Sequence, residues 1–319
     1  MNKPRTKSPL PRCLLRCGTI LAFMLFFFAT RQPGHAAPNL SMQAGPATVR
    51  FDTSQEAAAA EVLRLVPAVQ ADLQKLIPWT VDFQTTFVLL KEGELENMAG
   101  TGLIVAIAVP QQHLILLDLS KMARHAFVLE TTMKHELCHL LLHHHIRDEL
   151  LPRWLDEGVC QWASNGIAEI IMDRKVSVLE EALLAGRLLP FQDLTGHFPG
   201  DERGLLLAYE QSQSMVSYMS TAYGNERLLL VLNQLRDGNP FPNAIRVALG
   251  TGTSDLEAGW QHSLKREHTW MTYVSIHIYE ILFFVAALLA VAGSVRLLVR
   301  RKKQRSEEDE ARDPDNESL

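Results

Sequence analysis

The stretch 131-TTMKHELCHLLLHHH-145 decides the expected architecture, because it combines an apolar helical pattern with polar residues at set positions. His135 and His139 lie four residues apart, so on a helix they occupy the same face. Glu136 follows the first of them directly. Two imidazoles on one face can bind one metal ion, and a neighbouring carboxylate can accept a proton. The stretch therefore predicts a helix that carries part of a metal site.

This H-E-x-x-H spacing is typical of zinc hydrolases. A catalytic zinc ion has three protein ligands and keeps one position open for water, so His135 and His139 require one further ligand. We expect a single Zn²⁺ with Glu136 as the general base. The sequence offers two candidates for the third ligand.

The first candidate is His145, six residues after His139, where metzincins place their last histidine. In that family a glycine ends the helix three residues after the second histidine, and Leu142 occupies that position here. The second candidate is Glu157 in 152-PRWLDEGVCQW-162. Pro152 suits the start of a helix and Asn165 its end, which predicts a second helix antiparallel to the first.

The Trp-Leu-Asp-Glu-Gly run resembles the glutamate helix of the gluzincins, and the pattern through 209–235 resembles the peptidase MA-like branch of that group. The resemblance covers about residues 80–265. It implies an α+β fold, in which a thermolysin-like lobe packs a small twisted sheet on the H-E-x-x-H helix and a mainly helical lobe follows. It also implies a zinc-dependent peptidase with His135, His139 and Glu157 as ligands.

The same resemblance assigns Tyr209 a catalytic role, as the hydrogen-bond donor to the oxyanion; the alternative is a tyrosine that only packs the two lobes together. The aminopeptidases of the group carry a G-x-M-E-N motif, which 96-ENMAG-100 does not match. We therefore expect an endopeptidase that acts on peptide or protein substrates. The alternative function is a membrane-tethered zinc-binding scaffold without proteolytic activity.

Upstream of the histidines, alternating apolar residues predict a strand at 47–52, and runs rich in β-branched and apolar residues predict strands at 81–91, 102–110 and 113–119. A helix is expected from about Gln55 to Ile77, between the first two strands. The strand 102–110 is either the edge strand that binds the substrate backbone or a plain core strand. The histidine helix is expected from about Ser120 to His145. Downstream, helical patterns continue to about Arg266.

Two segments predict export and a membrane anchor. Residues 1–36 contain basic residues, a short apolar run and a small-residue cleavage site, as signal peptides do. Residues 274–297 are apolar enough to span a bilayer, and the arginines and lysines that follow place the C-terminus in the cytoplasm. The expected organisation is a signal peptide (1–36), an exported catalytic domain (37–270, divided into 37–166 and 167–270), a transmembrane helix (274–297) and a disordered cytoplasmic tail (298–319).

Net charge and cysteine content bear on the possible partners and disulfides of the protein. A net charge of −5 argues against nucleic-acid binding. The mature chain would retain Cys138 and Cys160, each within one turn of a candidate ligand, and they form either a disulfide or two buried thiols. His143 is expected to be a solvated residue at the helix end, and the direction of Asp156 cannot be read from the sequence. Nothing indicates an oligomeric state.

Overall fold

The computed structural model describes residues 40–100, 102, 104–124, 129–166, 177–267 and 277–311. The strands are β1 (Leu40–Ala44), β2 (Ala47–Phe51), β3 (Thr85–Leu89), β4 (Ala106–Val109) and β5 (Leu114–Leu117). The helices are α1 (Glu56–Leu76), α2 (Glu94–Ala99), α3 (Leu119–Arg124), α4 (Leu129–His145), α5 (Arg153–Ser164), α6 (Val178–Leu184), α7 (Glu202–Tyr223), α8 (Asn225–Arg236), α9 (Phe241–Leu249), α10 (Thr253–Glu267) and α11 (Ile278–Ala311). This is a mixed α/β fold that is mostly helical and contains one small mixed sheet.

The sheet has the strand order β1-β2-β3-β5-β4. Its three inner strands, β2, β3 and β5, are parallel to one another, whereas β1 and β4 pair antiparallel to their neighbours. The strand predicted at 102–110 is therefore β4, and it lies at one edge of the sheet. β4 also contacts α4, so this edge lies beside the histidine helix.

One face of the sheet builds the main core. Val49, Phe87 and Ile115 are opposite one another on adjacent strands and are fully buried. They share this core with the apolar faces of α1 and α4, to which Val66 and Leu137 belong. The opposite face carries a smaller cluster in which Leu95 of α2 covers strand residues. Successive residues of a strand point to opposite faces, so the inner strands contribute to two buried clusters.

Helices α4 and α5 form the hairpin that the sequence predicted. Pro152 immediately precedes α5, and Asn165 ends it in the left-handed conformation with φ of 61°. A 3₁₀ turn at Asp148–Leu150 reverses the chain between the two helices. Helix α7 packs closely on α5, and α8 packs on α7. The main core continues without interruption from the sheet into these helices.

The structure describes two parts of the predicted histidine helix. The expected helix from about Ser120 to His145 covers α3 and α4, and residues 125–128 between them lie outside the described part of the chain. The Asp118 side chain accepts hydrogen bonds from the backbone amides of Ser120 and Lys121, so it caps the start of α3.

Two elements were not predicted. Strand β1 forms a hairpin with β2, and Gly45 makes the intervening turn possible with a φ of 55°. Helix α2 is bounded by Gly93 and Gly100, both in the left-handed conformation, and is too short for a helical period to stand out.

The C-terminal helix contains the candidate membrane span. Within α11, residues Ile278–Leu297 are long and apolar enough to cross a membrane. The helix continues to Ala311, whereas 298–319 was predicted to be disordered. The predicted signal peptide, 1–36, and residues 274–276 of the predicted span lie outside the described residues.

Candidate metal centre

The two histidines of the H-E-x-x-H stretch meet at their Nε2 atoms. His135 and His139 lie one turn apart on α4, and their Nε2 atoms are 3.1 Å apart. The rings are nearly perpendicular, with an interplanar angle of 80°. Both side chains are buried. Helix geometry and burial together therefore aim two potential donor atoms at one point.

Helix α5 adds a carboxylate at the same point. Glu157 Oε2 lies 3.4 Å from His139 Nε2 and 3.8 Å from His135 Nε2. The three donor atoms lie within 4.8 Å of one another, and all three residues are buried. Ligand atoms at about 2.1 Å from a tetrahedral zinc ion are roughly 3.4 Å apart. The observed spacings fit one such ion.

The carboxylate of Glu157 is held from one side only. Its Oε1 accepts a hydrogen bond from Arg153 Nη2 at 2.7 Å and one from the Tyr209 hydroxyl at 3.4 Å. Its Oε2 is buried and has no hydrogen-bond partner within the described part of the chain. Burying a carboxylate oxygen without a partner is costly. A cation between Oε2 and the two Nε2 atoms would remove that cost, so the residues present fit a bound metal ion.

A glycine allows the elements of the site to approach closely. Gly158 follows Glu157 on α5 and faces α7, which carries Tyr209. A Cβ atom at Gly158 would lie only 2.4 Å from the carbonyl oxygen of Ser212 and 2.7 Å from Val216 Cγ2. The absence of a side chain at this position therefore lets α7 bring Tyr209 within reach of Glu157.

Asp156 connects the ligand His139 to a third histidine. A carboxylate can only accept, so His139 Nδ1 donates to Asp156 Oδ1 at 2.8 Å and His143 Nε2 donates to Asp156 Oδ2 at 3.0 Å. A proton on Nδ1 would leave the lone pair of His139 Nε2 available to a metal ion between His135 and Glu157. The sequence did not show which way Asp156 points, and the structure places it behind His139.

The pKa values of Asp156, His139 and His143 reflect both burial and their charged neighbours. Burial would raise the pKa of Asp156, but the charges and hydrogen bonds of His139 and His143 outweigh it and hold that pKa far below its usual value. Burial would likewise lower the pKa of His139, yet Asp156 and Glu157 raise it well above its usual value. Burial would lower the pKa of His143, and its bonds to Asp156 and Asp148 raise it. The centre thus combines buried carboxylates with imidazoles that compensate their charge.

Glu136 lies on α4 between the two histidine ligands in sequence and is fully buried. His145 is directed elsewhere: its Nε2 donates to the Thr80 carbonyl oxygen at 2.9 Å, and its ring contacts Trp79. It does not join the donor cluster of His135, His139 and Glu157. The structure therefore brings Glu157 together with His135 and His139 and keeps His145 apart from them. His143, expected to be solvated, is instead mostly buried, with 19% of its side chain exposed.

The two cysteines are both buried and unbridged. Burial raises the pKa of the Cys160 thiol well above its usual value, and a hydrogen bond with Cys138 raises it further. Cys160 also lies close to His139 and Asp156, and these three could hold a metal ion by distance alone. Both oxygens of Asp156 are already bonded to histidines, and the thiol is protonated, so this group surrounds the first site instead of forming a second.

Comparison with known proteins identifies the family of this chain. The family model of the peptidase MA superfamily matches residues 106–266, which is half of the chain. A search of curated proteins found no match. The matched region runs from the edge strand β4 to the end of α10 and includes every residue of the donor cluster. The chain belongs to the peptidase MA superfamily.

Proposed function

We propose that the protein is a membrane-anchored zinc-dependent endopeptidase. The observation that carries the proposal is the convergence of His135 Nε2, His139 Nε2 and Glu157 Oε2 within 4.8 Å, in a chain that belongs to a superfamily of peptidases. The donor set of two imidazoles and one carboxylate suits Zn²⁺ and leaves a fourth position open, as a catalytic site requires. Structural zinc sites usually close that position with a fourth side chain.

In the proposed mechanism, His135, His139 and Glu157 hold the zinc ion. When bound, the ion lowers the pKa of a water molecule and polarises the carbonyl group of the substrate. Glu136 accepts the proton of the attacking water and returns it to the leaving amine nitrogen. The buried position of Glu136 on the helix of both histidines favours this role, because the residue is adjacent to His135 in sequence and shielded from bulk solvent.

Tyr209 is proposed to donate a hydrogen bond to the oxyanion that develops on the substrate carbonyl. Its hydroxyl lies 3.4 Å from Glu157 Oε1, so the group is at the metal site and not in a remote part of the core. Its ring packs edge-on against Phe198, which fixes the direction of the hydroxyl. A hydroxyl held at this position can donate to an oxygen next to the metal.

Substrate binding is proposed at the edge strand β4. An extended peptide can add to an exposed edge by backbone hydrogen bonds, as in thermolysin-like enzymes. β4 is the last strand of the sheet on the side of α4, so a peptide paired with it would run beside the metal ligands. The absence of a G-x-M-E-N motif from the sequence favours cleavage within chains over removal of N-terminal residues.

The proposed organisation places this catalytic domain, residues 37–270, outside the cytoplasm. Export would use the signal segment 1–36, and the helix within 274–297 would anchor the domain. The basic residues after this helix favour a cytoplasmic C-terminus.

The test is cleavage of casein and of fluorogenic peptides by the full chain purified in detergent. Wild type should cleave, a chelator should abolish cleavage, and added zinc should restore it. Glu136→Gln should be inactive although it still binds zinc. A wild-type protein that binds zinc and cleaves none of these substrates would instead support the zinc-binding scaffold.

A further inference from the structure

A row of hydrogen bonds leads from the metal ligand His139 to the protein surface. His139 Nδ1 donates to Asp156 Oδ1 at 2.8 Å, and His143 Nε2 donates to the other oxygen of Asp156 at 3.0 Å. His143 Nδ1 then donates to Asp148 Oδ1 at 2.6 Å. Three elements contribute to this row, since the histidines belong to α4, Asp156 to α5 and Asp148 to the 3₁₀ turn between them.

The outermost residue of the row, Asp148, contacts the turn that follows the edge strand. Asp148 is largely exposed, with 60% of its side chain accessible, and its Oδ2 accepts a hydrogen bond from Gln111 Nε2 at 3.3 Å. Gln111 lies in the 3₁₀ turn that directly follows β4. Asp148 therefore bonds both to the row behind the metal site and to the end of the strand proposed to bind substrate.

We propose that His143 and Asp148 are positioning residues for the metal ligand His139. The inference rests on the proposed zinc site, and it assigns a role to two residues that neither bind the metal nor touch the substrate. His143 fixes the carboxylate of Asp156, and Asp156 in turn fixes the ring of His139. Asp148 fixes the ring of His143.

The physical basis is the burial of Asp156. Only 8% of its side chain is exposed, so water cannot readily replace a lost partner. Without His143, Oδ2 would be left buried with no described donor, and the carboxylate would turn or admit water to find one. Either change alters the bond that orients His139. Loss of an outer partner of a ligating histidine typically weakens metal binding by about 10- to 100-fold.

The chain provides a matched control in the next residue. His144 Nε2 pairs with Asp82 Oδ1 at 2.9 Å, and the side chains of this pair are 30% and 65% exposed. The pair of His143 and Asp148 resembles it in type, exposure and place at the end of α4. His144 contacts neither Asp156 nor a metal ligand through any described hydrogen bond. Replacing His144 therefore tests the general effect of losing a histidine here.

The experiment titrates Co²⁺ into metal-stripped full chain in detergent, with a competing chromophoric chelator and with the visible spectrum of bound Co²⁺ as a second readout. His143→Ala should weaken Co²⁺ binding by about 10-fold or more and shift the spectrum. His143→Gln should recover part of the affinity, because its amide can still donate to Asp156. Asp148→Asn should weaken binding by a few-fold, and His144→Ala should match wild type.

The outcomes separate this inference from the proposed function. If wild type binds Co²⁺ but His143→Ala and Asp148→Asn bind it as His144→Ala does, the positioning role is wrong and the metal site stands. If wild type binds no Co²⁺, the metal site itself is wrong and the positioning role falls with it. Asp148 is exposed, so Asp148→Asn still decides the question if His143→Ala does not fold.

Discussion

Glu157 uses its two carboxylate oxygens for different tasks. Arg153, one turn earlier on α5, and Tyr209 on α7 both donate to Oε1. Oε2 is thereby left facing the two imidazoles. Arg153 is itself held over the ring of Phe198, 5.5 Å from its centroid. The orientation of a single ligand thus depends on side chains from two helices and one loop.

Replacing Tyr209 tests whether its hydroxyl takes part in catalysis. Tyr209→Phe should lower kcat by roughly tens to a thousandfold, because one hydrogen bond to the oxyanion is lost. Zinc content and thermal unfolding should change little, since the ring and its contact with Phe198 remain. Tyr218→Phe, on the same helix, serves as the control and should leave kcat unaltered. Equal kcat values for Tyr209→Phe and wild type would assign Tyr209 to packing alone.

The charged group behind His139 predicts a pH-dependent stability of the metal-free protein. Because the pKa of Asp156 is lowered, its contribution is present above the unfolded value near 4 and is lost as pH falls through the folded pKa. Because the pKa of His143 is raised, its contribution is complete below the unfolded value near 6.5 and is lost as pH rises through the folded pKa.

Wild type should therefore exceed His143→Ala in unfolding free energy most clearly between about pH 4 and pH 6.5. The difference should shrink at higher pH. Chemical denaturation of both metal-free proteins across this range measures it. A difference that grows with rising pH would contradict the assigned protonation of His143.

At the scale of elements, the crossing of α5 and α7 determines whether the site forms. Gly158→Ala should destabilise the protein by about 1–3 kcal/mol, because the added Cβ meets the Ser212 carbonyl oxygen, which belongs to a helix backbone and cannot turn away. Zinc affinity should fall as well, since Glu157 is the adjacent residue. Gly200→Ala meets no atom within 4 Å and is the control. Denaturant unfolding with equal midpoints for the two variants would show that the helices can separate without cost.

Local sequence signals predicted most of these elements. Pro152 and Asn165 marked both ends of α5, and the spacing of His135 and His139 gave their common face. Alternating apolar residues located β2, and runs of β-branched and apolar residues located β3, β4 and β5. These features depend on residues close in sequence, where a helical or strand period is sufficient information.

The contacts that the sequence did not reveal join distant residues. Asp156 and His143 are 13 residues apart and meet only because α4 and α5 pack as a hairpin. Tyr209 and Glu157 are 52 residues apart. Periodicity predicts which face a residue occupies, but not which side chain of another element it meets.

For the whole molecule, α11 is the proposed membrane anchor. The apolar span Ile278–Leu297 should make the full chain fractionate with membranes and require detergent for extraction. A chain ending at residue 270 should be released in soluble form and still cleave peptides. A reporter fused after Leu319 should lie on the cytoplasmic side. Full chain found in the soluble fraction, or an exported reporter, would contradict the anchor or its orientation.

Above all, we propose that His135, His139 and Glu157 hold one zinc ion at which peptide bonds are cleaved. The most direct test is the zinc content of the purified full chain, measured together with casein cleavage, in wild type and three variants. We predict one zinc per chain with activity in wild type, one zinc without activity in Glu136→Gln, neither in Glu157→Ala, and retained zinc in His145→Ala. Zinc lost from His145→Ala and kept by Glu157→Ala would contradict the assignment of Glu157 as the third ligand.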